Sequence, residues 1–574
     1  MKRILLSLLA LLLALSMLLV SCNEEPPTPD GNTPPADNGE QNPPAGETAF
    51  TKTESYVPSA VYAQMKAYFE GSEKGFEACS DRAAAPYVST DLYAITDCTV
   101  KSITIPVFST GKVDEDGNFT FSIYVIPNDW ASLRTAITEP DEPIEIKINA
   151  AEHGLEASKV IRKFIKVDLS AYKIKLSNKE TLGFSHKDDT IIPARVLTKG
   201  TDAITKEKYV PAKYMIDNWD VVGYYYCDTS DKSFTYIDNS LFFDFELERT
   251  YESEATYTAL QAAKAQDDAD YAKKLAAVKA AYNGKFLSVM GDSISTFNTI
   301  TNDKALGLGD NPTYSKYTLG GAVYTYERTY WGGLAAGADM DLCVINSWGA
   351  GMVYGREKYA YKDGMLLRSY NLANGTQKPD VILLNYGIND MGSSYSSAQD
   401  ESSSKFTGNQ FSGDLYQRLT ATNKTKTDKQ IVADWFAEVE SKAAMGGFDA
   451  NDPSTITYNS KHVSNIYTTW EAAYALSLQN IKRLYPDAEI FCITLPDRNH
   501  DSSTQPRLSK ANVLIRAIAE YFEVGFVDQA NSGITRENCM MYSSDETGLH
   551  PNGKGHAALT KAIVEAIYER LPKN

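Results

Sequence analysis

Ser293 follows the apolar run Phe286–Met290 and the doublet Gly291-Asp292, so its hydroxyl is delivered where a buried strand would end. Open α/β sheets keep their chemistry at such ends. A serine is a weak nucleophile at its own pKa and needs a base to take its proton during attack. Six histidines are available. His550, followed by Pro551-Asn552 and a C-terminal helical stretch, is the best placed; His153 and His186 fall among β-like segments, His462 and His500 in loops, and His556 at a helix start. Two polar clusters also follow apolar runs, Asn346-Ser-Trp-Gly-Ala-Gly351 and Gly387-Ile-Asn389-Asp390. Each alone is ordinary turn chemistry. Rival chemistries fit less well. There is no Gly-x-Ser-x-Gly elbow, and Gly548–Lys554 nearly spells a P-loop but has Gly555 where a hydroxyl residue is required. No metal-ligand spacing or cofactor motif competes, so no metal or cofactor is expected.

The elements that must hold these residues can be read from periodicity. From Lys285 onward, strand-like apolar runs (Phe286–Met290, Leu342–Ile345, Val381–Leu384, Ile490–Leu495, Val524–Val527) alternate with helical stretches (Trp470–Leu484, Ser509–Phe522, His556–Leu571). Strands apolar throughout, alternating with helices, predict a parallel sheet covered on both faces, a three-layer α/β/α domain over 285–574. Tyr330 and Trp331 read as core residues of a helix. Residues 391–465 break the pattern with a Ser-, Thr-, Asn- and Asp-rich stretch, which reads either as a substrate-facing lid or as a surface insertion with short helices of its own.

Upstream, residues 53–250 show period-two segments separated by turn signals: Ile103–Val107, Phe119–Val125, Ile144–Ile148, Tyr172–Leu176 and Leu241–Leu247. They predict an all-β sandwich, jelly-roll-like, with a first helix near Ala60–Phe69. Residues 251–284, rich in Ala and Lys, predict a helical linker stopped at Asn283-Gly284.

The N-terminus follows other rules. Lys2-Arg3, an apolar stretch to Val20 and Ser21-Cys22 read as a secretory signal over 1–21, and Leu19-Val20-Ser21-Cys22 resembles the lipobox of bacterial lipoproteins. That resemblance implies a lipid on Cys22 and an extracytoplasmic, membrane-anchored protein. A transmembrane anchor is the competing reading of the same stretch. Residues 22–52, rich in Pro and Asn, read as a disordered tether. The formal charge of −18 makes nucleic acid and anionic membrane surfaces poor partners. The seven cysteines are scattered with no C-x-x-C pair, against a disulfide scaffold or zinc site; one disulfide among Cys79, Cys98 and Cys227 stays open.

In block order, Gly291-Asp-Ser293, Asn346–Gly351, Gly387–Asp390 and Leu549-His-Pro-Asn552 resemble the SGNH, or GDSL-type, hydrolases over the second half of the chain. The resemblance implies ester hydrolysis through an acyl-serine, with Ser293 as nucleophile and His550 as general base. It implies an oxyanion hole made by the Ser293 amide, a backbone amide of Ala350 or Gly351, and the Asn389 side chain. Each such donor is worth about 2.7–4 kcal/mol. The family's aspartate three residues before the histidine is replaced by Thr547, so Asp545 is the first candidate to orient His550, with Glu546, Thr547 itself or a backbone carbonyl as alternatives. Trp348 and Tyr386 adjoin the proposed donors and are candidates to stack on a substrate ring, although packing beneath the site is the commoner role for such aromatics. An O-acetyl ester of carbohydrate is the favoured substrate. A lipid or aryl esterase, and a silent glycan-binding protein, are the alternatives.

Overall fold

The computed structural model describes residues 49–55, 76–78, 87–89, 97–127, 142–157, 159, 162–177, 180–184, 188–197, 224–228, 233–237, 239–241, 244–296, 326–353, 364–391, 414–445, 447–453, 470–496, 505–536, 539–542, 549–551 and 553–572. Cys22, Asp545 and the helix expected at 60–69 lie outside these residues.

Fourteen strands come first: β1 (Phe50–Ser55), β2 (Phe76–Ala78), β3 (Tyr87–Ser89), β4 (Cys98–Ser109), β5 (Asn118–Pro127), β6 (Ile144–Asn149), β7 (Arg162–Asp168), β8 (Lys175–Leu176), β9 (Glu180–Phe184), β10 (Ile191–Leu197), β11 (Tyr224–Asp228), β12 (Ser233–Ile237), β13 (Asn239–Leu241) and β14 (Asp244–Tyr251). They form two antiparallel sheets, one built on β1-β14-β4-β10-β13 and the other ordered β12-β11-β3-β9-β5-β6. Their inner faces share one core. Ile103, Ile105 and Val107 of β4 and Ile165 and Val167 of β7 meet Phe119, Phe121 and Ile123 of β5 and Leu182 and Phe184 of β9. β6 shows the alternation, with Ile146 and Ile148 buried in this core beside exposed Glu145 and Lys147, and two such inner faces make a sandwich. The strand expected over Tyr172–Leu176 is shorter: Ser170–Tyr172 is a 3-10 turn ended by Lys173 at φ 51°, and pairing starts at Lys175. The left-handed residue breaks the extended run.

Helix α1 (Glu254–Tyr282) leaves the sandwich directly after β14. Ser253 caps it by accepting from Thr256 N, and Gly284 ends it at φ 72°. Its first half is exposed, and near its end Val278 and Tyr282 are buried. So the stretch expected as a linker is a continuous helix whose last turns belong to the next core.

That next core surrounds a parallel sheet of β15 (Phe286–Gly291), β16 (Asp341–Ser347), β17 (Val381–Asn385), β18 (Glu489–Ile493) and β19 (Gly525–Val527), in the order β16-β15-β17-β18-β19. Helices α2 (Tyr330–Ala338), α3 (Met365–Arg368), α4 (Asp414–Thr420), α5 (Asp428–Met445), α6 (Trp470–Leu484), α7 (Gln505–Tyr521) and α8 (Gly553–Arg570) interleave with it. α1, α2 and α8 pack together as one group, and α3, α5, α6 and α7 pack among themselves as another. The central strands are buried along their length, as a sheet covered on both faces requires. The chain goes from β15 to β16 on one side and returns past β15 to β17 on the other, which makes the end of β15 the topological switch point. Register places Gly291 level with Ser347 and with Asn385, so three strand ends open at one height.

The described part of 391–465 holds α4 and α5, as the insertion with helices of its own expects. α5 buries Ile431, Val432, Trp435, Phe436 and Val439 in the domain core, which makes it part of the fold.

Candidate active site

Ser293, the expected nucleophile, is set by a tight turn. β15 ends at Gly291, and Ser293–Ser295 form a 3-10 turn capped by Asp292, whose carboxylate accepts from Ile294 N at 3.1 Å. The Asp292 amide donates to Asn385 O at 3.2 Å, tying the turn to the end of β17. Thr296 Oγ1 donates to Ser293 O at 2.8 Å. Gly291 is required by space: a Cβ there would lie 2.0 Å from Ser295 Oγ and 3.0 Å from Asn385 O. Each member of the Gly-Asp-Ser triplet therefore has a separate physical reason.

Ser293 Oγ lies 2.9 Å from His550 Nε2. This is hydrogen-bond distance for a nucleophile and its base. To accept the serine proton at Nε2, the neutral imidazole must carry its own proton on Nδ1. An orienting acceptor at Nδ1 is the third role, and the residue expected for it, Asp545, lies outside the described residues together with Glu546 and Thr547. His550 is half-buried and Ser293 is 3 % exposed.

Of the expected oxyanion donors, the Ser293 amide and Asn389 sit at the ends of β15 and β17, and one of the two backbone amides expected after β16 is otherwise engaged. The Ser293 amide opens a helical turn, where the first N–H groups have no acceptor within the turn. Asn389, in the 3-10 turn Ile388–Met391 just past β17, sends Nδ2 to Gly351 O at 3.0 Å. Its partner Asp390 is buried and accepts from Val353 N at 3.1 Å, so the Asn-Asp pair clamps the loop after β16. Gly351, one of the two amides expected after β16, donates to Trp348 O at 2.8 Å and closes a turn. That N–H is committed to the backbone, and Gly351 is not the second donor. The other candidate, Ala350, sits in the same turn at φ 59°, a left-handed conformation unusual for alanine.

The two aromatics that were candidates to stack on substrate are buried, which fits the commoner role of packing beneath the site. Tyr386 is fully buried beneath the loop, so close that a Cβ on Gly351 would come within 2.7 Å of its hydroxyl. Trp348 is 7 % exposed, with the Arg368 guanidinium carbon 5.3 Å from its ring centroid. Both support the site from below, because strand-end residues alternate between the substrate side and the core. Asn346 is structural as well, donating to Arg368 O and Asn371 O at 2.9 Å each. Among the described residues, no group of three or more His, Cys, Asp or Glu side chains is arranged to hold a metal ion.

His556 was expected only as a helix-start residue. It lies in the first turn of α8, fully buried, with Nδ1 accepting from Tyr330 N at 3.1 Å and its ring stacked on Tyr330. Burial, and secondarily the neighbouring His550, pulls its pKa down to about 3, so it is neutral throughout the working range. No spacing rule in the sequence marks this histidine, because its partner is a backbone amide 226 residues away.

Residues 344–558 match the GDSL-like Lipase/Acylhydrolase family. The match starts inside β16 and takes in Asn346, Asn389 and His550, while Ser293 precedes it. No curated protein matches the chain. Among solved structures, similarity extends to a family two carbohydrate esterase from Clostridium thermocellum in complex with cellohexaose (11% identity, 85% of this chain and 94% of that one, TM-score 0.27). It extends also to Est24, a carbohydrate acetylesterase from Sinorhizobium meliloti (14%, 49% and 98%, TM-score 0.26). A third is a family two carbohydrate esterase from Cellvibrio japonicus (9%, 91% and 98%, TM-score 0.24).

Proposed function

We propose that this chain, a serine ester hydrolase with a GDSL-like domain, removes O-acetyl groups from carbohydrate while anchored outside the cytoplasm by a lipid on Cys22. The observation that carries the chemistry is the 2.9 Å contact of Ser293 Oγ with His550 Nε2 at the switch point of the parallel sheet. In this reading His550 takes the serine proton as Oγ attacks the ester carbonyl. Asn389 and the Ser293 amide then hold the developing oxyanion. The imidazolium returns the proton to the departing sugar alcohol, leaving an acyl-serine that water, activated by the same histidine, hydrolyses to acid.

The choice of ester rests on how the chain is assembled. A lipobox-like leader and a Pro-rich tether would present the enzyme to extracellular material, and a β-sandwich accompanies the catalytic domain. Acetate release from a panel of acetylated glycans, measured beside esters of rising acyl length, tests the reading. Acetylated glycans are expected to be the best substrates, and Ser293→Ala is expected to lose activity while keeping the wild-type thermal melt. Preference for long acyl chains would replace the carbohydrate reading with a lipid esterase. Glycan binding without any hydrolysis would make the chain a binding protein.

A further inference from the structure

Ser293 and His550 are brought together from behind β15 and from ahead of α8, 257 residues apart in the chain. The start of α2 lies between their two supports. On the serine side, the Tyr330 hydroxyl hydrogen-bonds Ser295 Oγ at 2.7 Å, and Trp331 Nε1 donates to Ser295 O at 3.0 Å. Ser295 is the last residue of the nucleophile's turn. On the histidine side, Tyr330 N donates to His556 Nδ1 at 3.1 Å, the Tyr330 and His556 rings stack at 6.0 Å, and the one Thr560 hydroxyl proton is shared between His556 O at 2.9 Å and Tyr330 O at 3.1 Å. Glycines permit the approach: a Cβ on Gly333 would lie 2.9 Å from Thr560 Oγ1, and one on Gly291 would displace Ser295. Ser295, Tyr330, Trp331 and His556 are all fully buried. Apolar residues of the same size would fill this space without needing partners, whereas these polar groups bond to the serine's turn or to the helix behind the base.

We propose that Tyr330, Trp331 and His556 are positioning residues which together set the separation of Ser293 Oγ from His550 Nε2. The inference rests on the reading of Ser293 and His550 as nucleophile and base. A displacement of about 1 Å between reacting groups costs on the order of 10²-fold in rate, so a strut that fixes two approaching elements acts on kcat.

Three variants separate this role from packing. Tyr330→Phe keeps the ring and the amide but removes the bond to Ser295. His556→Leu keeps the volume and removes the acceptor, while His556→Asn restores an acceptor oxygen near the Nδ1 position. Tyr330→Phe and His556→Leu are expected to lower kcat by about 10- to 100-fold with KM within about twofold, and to slow active-site labelling by an aryl phosphonate equally. His556→Asn is expected to regain most of the loss. Folded Tyr330→Phe and His556→Leu proteins with kcat within about twofold of wild type would overturn the proposal. If His556→Leu fails to fold, Tyr330→Phe, which deletes one oxygen atom, decides alone. Ser293→Ala runs in parallel: if it stays active, the catalytic assignment itself has failed, whereas an inactive Ser293→Ala beside a fully active Tyr330→Phe refutes only the strut.

Discussion

Asn389 Nδ2 donates one proton to Gly351 O at 3.0 Å, which leaves its second amide proton to meet a substrate oxygen. Asn389→Ala removes both, and since the first only braces a loop that Asp390 also holds through Val353 N, the larger loss falls on the transition state. We expect kcat to fall by about 10²–10³, the equivalent of ~2.7–4 kcal/mol, with KM little changed; steady-state kinetics on a short-chain ester measure it. A KM effect without a kcat effect would make Asn389 a substrate-binding group only. Ser293, Asn389 and His550 can be singled out in the sequence because each belongs to a block that ends an apolar run or precedes a helix, and each chemistry admits few residue types. The amide of Gly351 was not, because whether a backbone N–H is free depends on the turn that closes over it. Tyr386 stays open between two roles in the sequence for a related reason: an aromatic at a strand end looks the same facing substrate or core, and a shift of one residue reverses the side.

At the scale of elements, periodicity located α6 and all five parallel strands, since apolar runs and amphipathic faces survive in any context. It missed α5. The segment was judged on the Ser-, Thr- and Asn-rich composition of 391–465 as a whole, yet Ile431, Val432, Trp435, Phe436 and Val439 already carry a helical stripe within it. Local composition was outvoted by its flanks. Because Trp435 is 4 % exposed and its helix packs against α6 and α7, Trp435→Ala should cost about 3–5 kcal/mol of stability, read as a fall in the urea midpoint at unchanged slope. KM for a small ester should not move. A large change in KM with stability intact would instead make α5 the wall of a substrate channel.

At the scale of the whole molecule, the described residues form two cores that share no residue, one between the antiparallel sheets and one around the parallel sheet, linked by α1. The start of α1 is fastened to the sandwich by Phe50 and Tyr251, whose rings lie 5.3 and 5.0 Å from Tyr257, and its end is buried in the hydrolase core. Between them the helix is exposed, so α1 itself lends the two cores little shared apolar surface, and calorimetry is expected to resolve two transitions. Only one of them should respond to His556. Its native pKa of about 3 lies below the unfolded value of about 6.5. The folded state therefore binds fewer protons between those values, and stability present above about pH 6.5 is lost as pH falls toward 3, by about 1.4 kcal/mol per pH unit. Carboxylates such as Glu438, held below its ordinary range by Arg418, add their own acid sensitivity to any variant, so the informative quantity is a difference. Between pH 7.5 and pH 5 the hydrolase transition of wild type should lose roughly 2 kcal/mol more than that of His556→Asn, while the sandwich transition shifts equally in both. An identical pH dependence in the two proteins would mean that His556 titrates alike in the folded and unfolded states, and at pH 5 the Tyr330 amide would then need another acceptor.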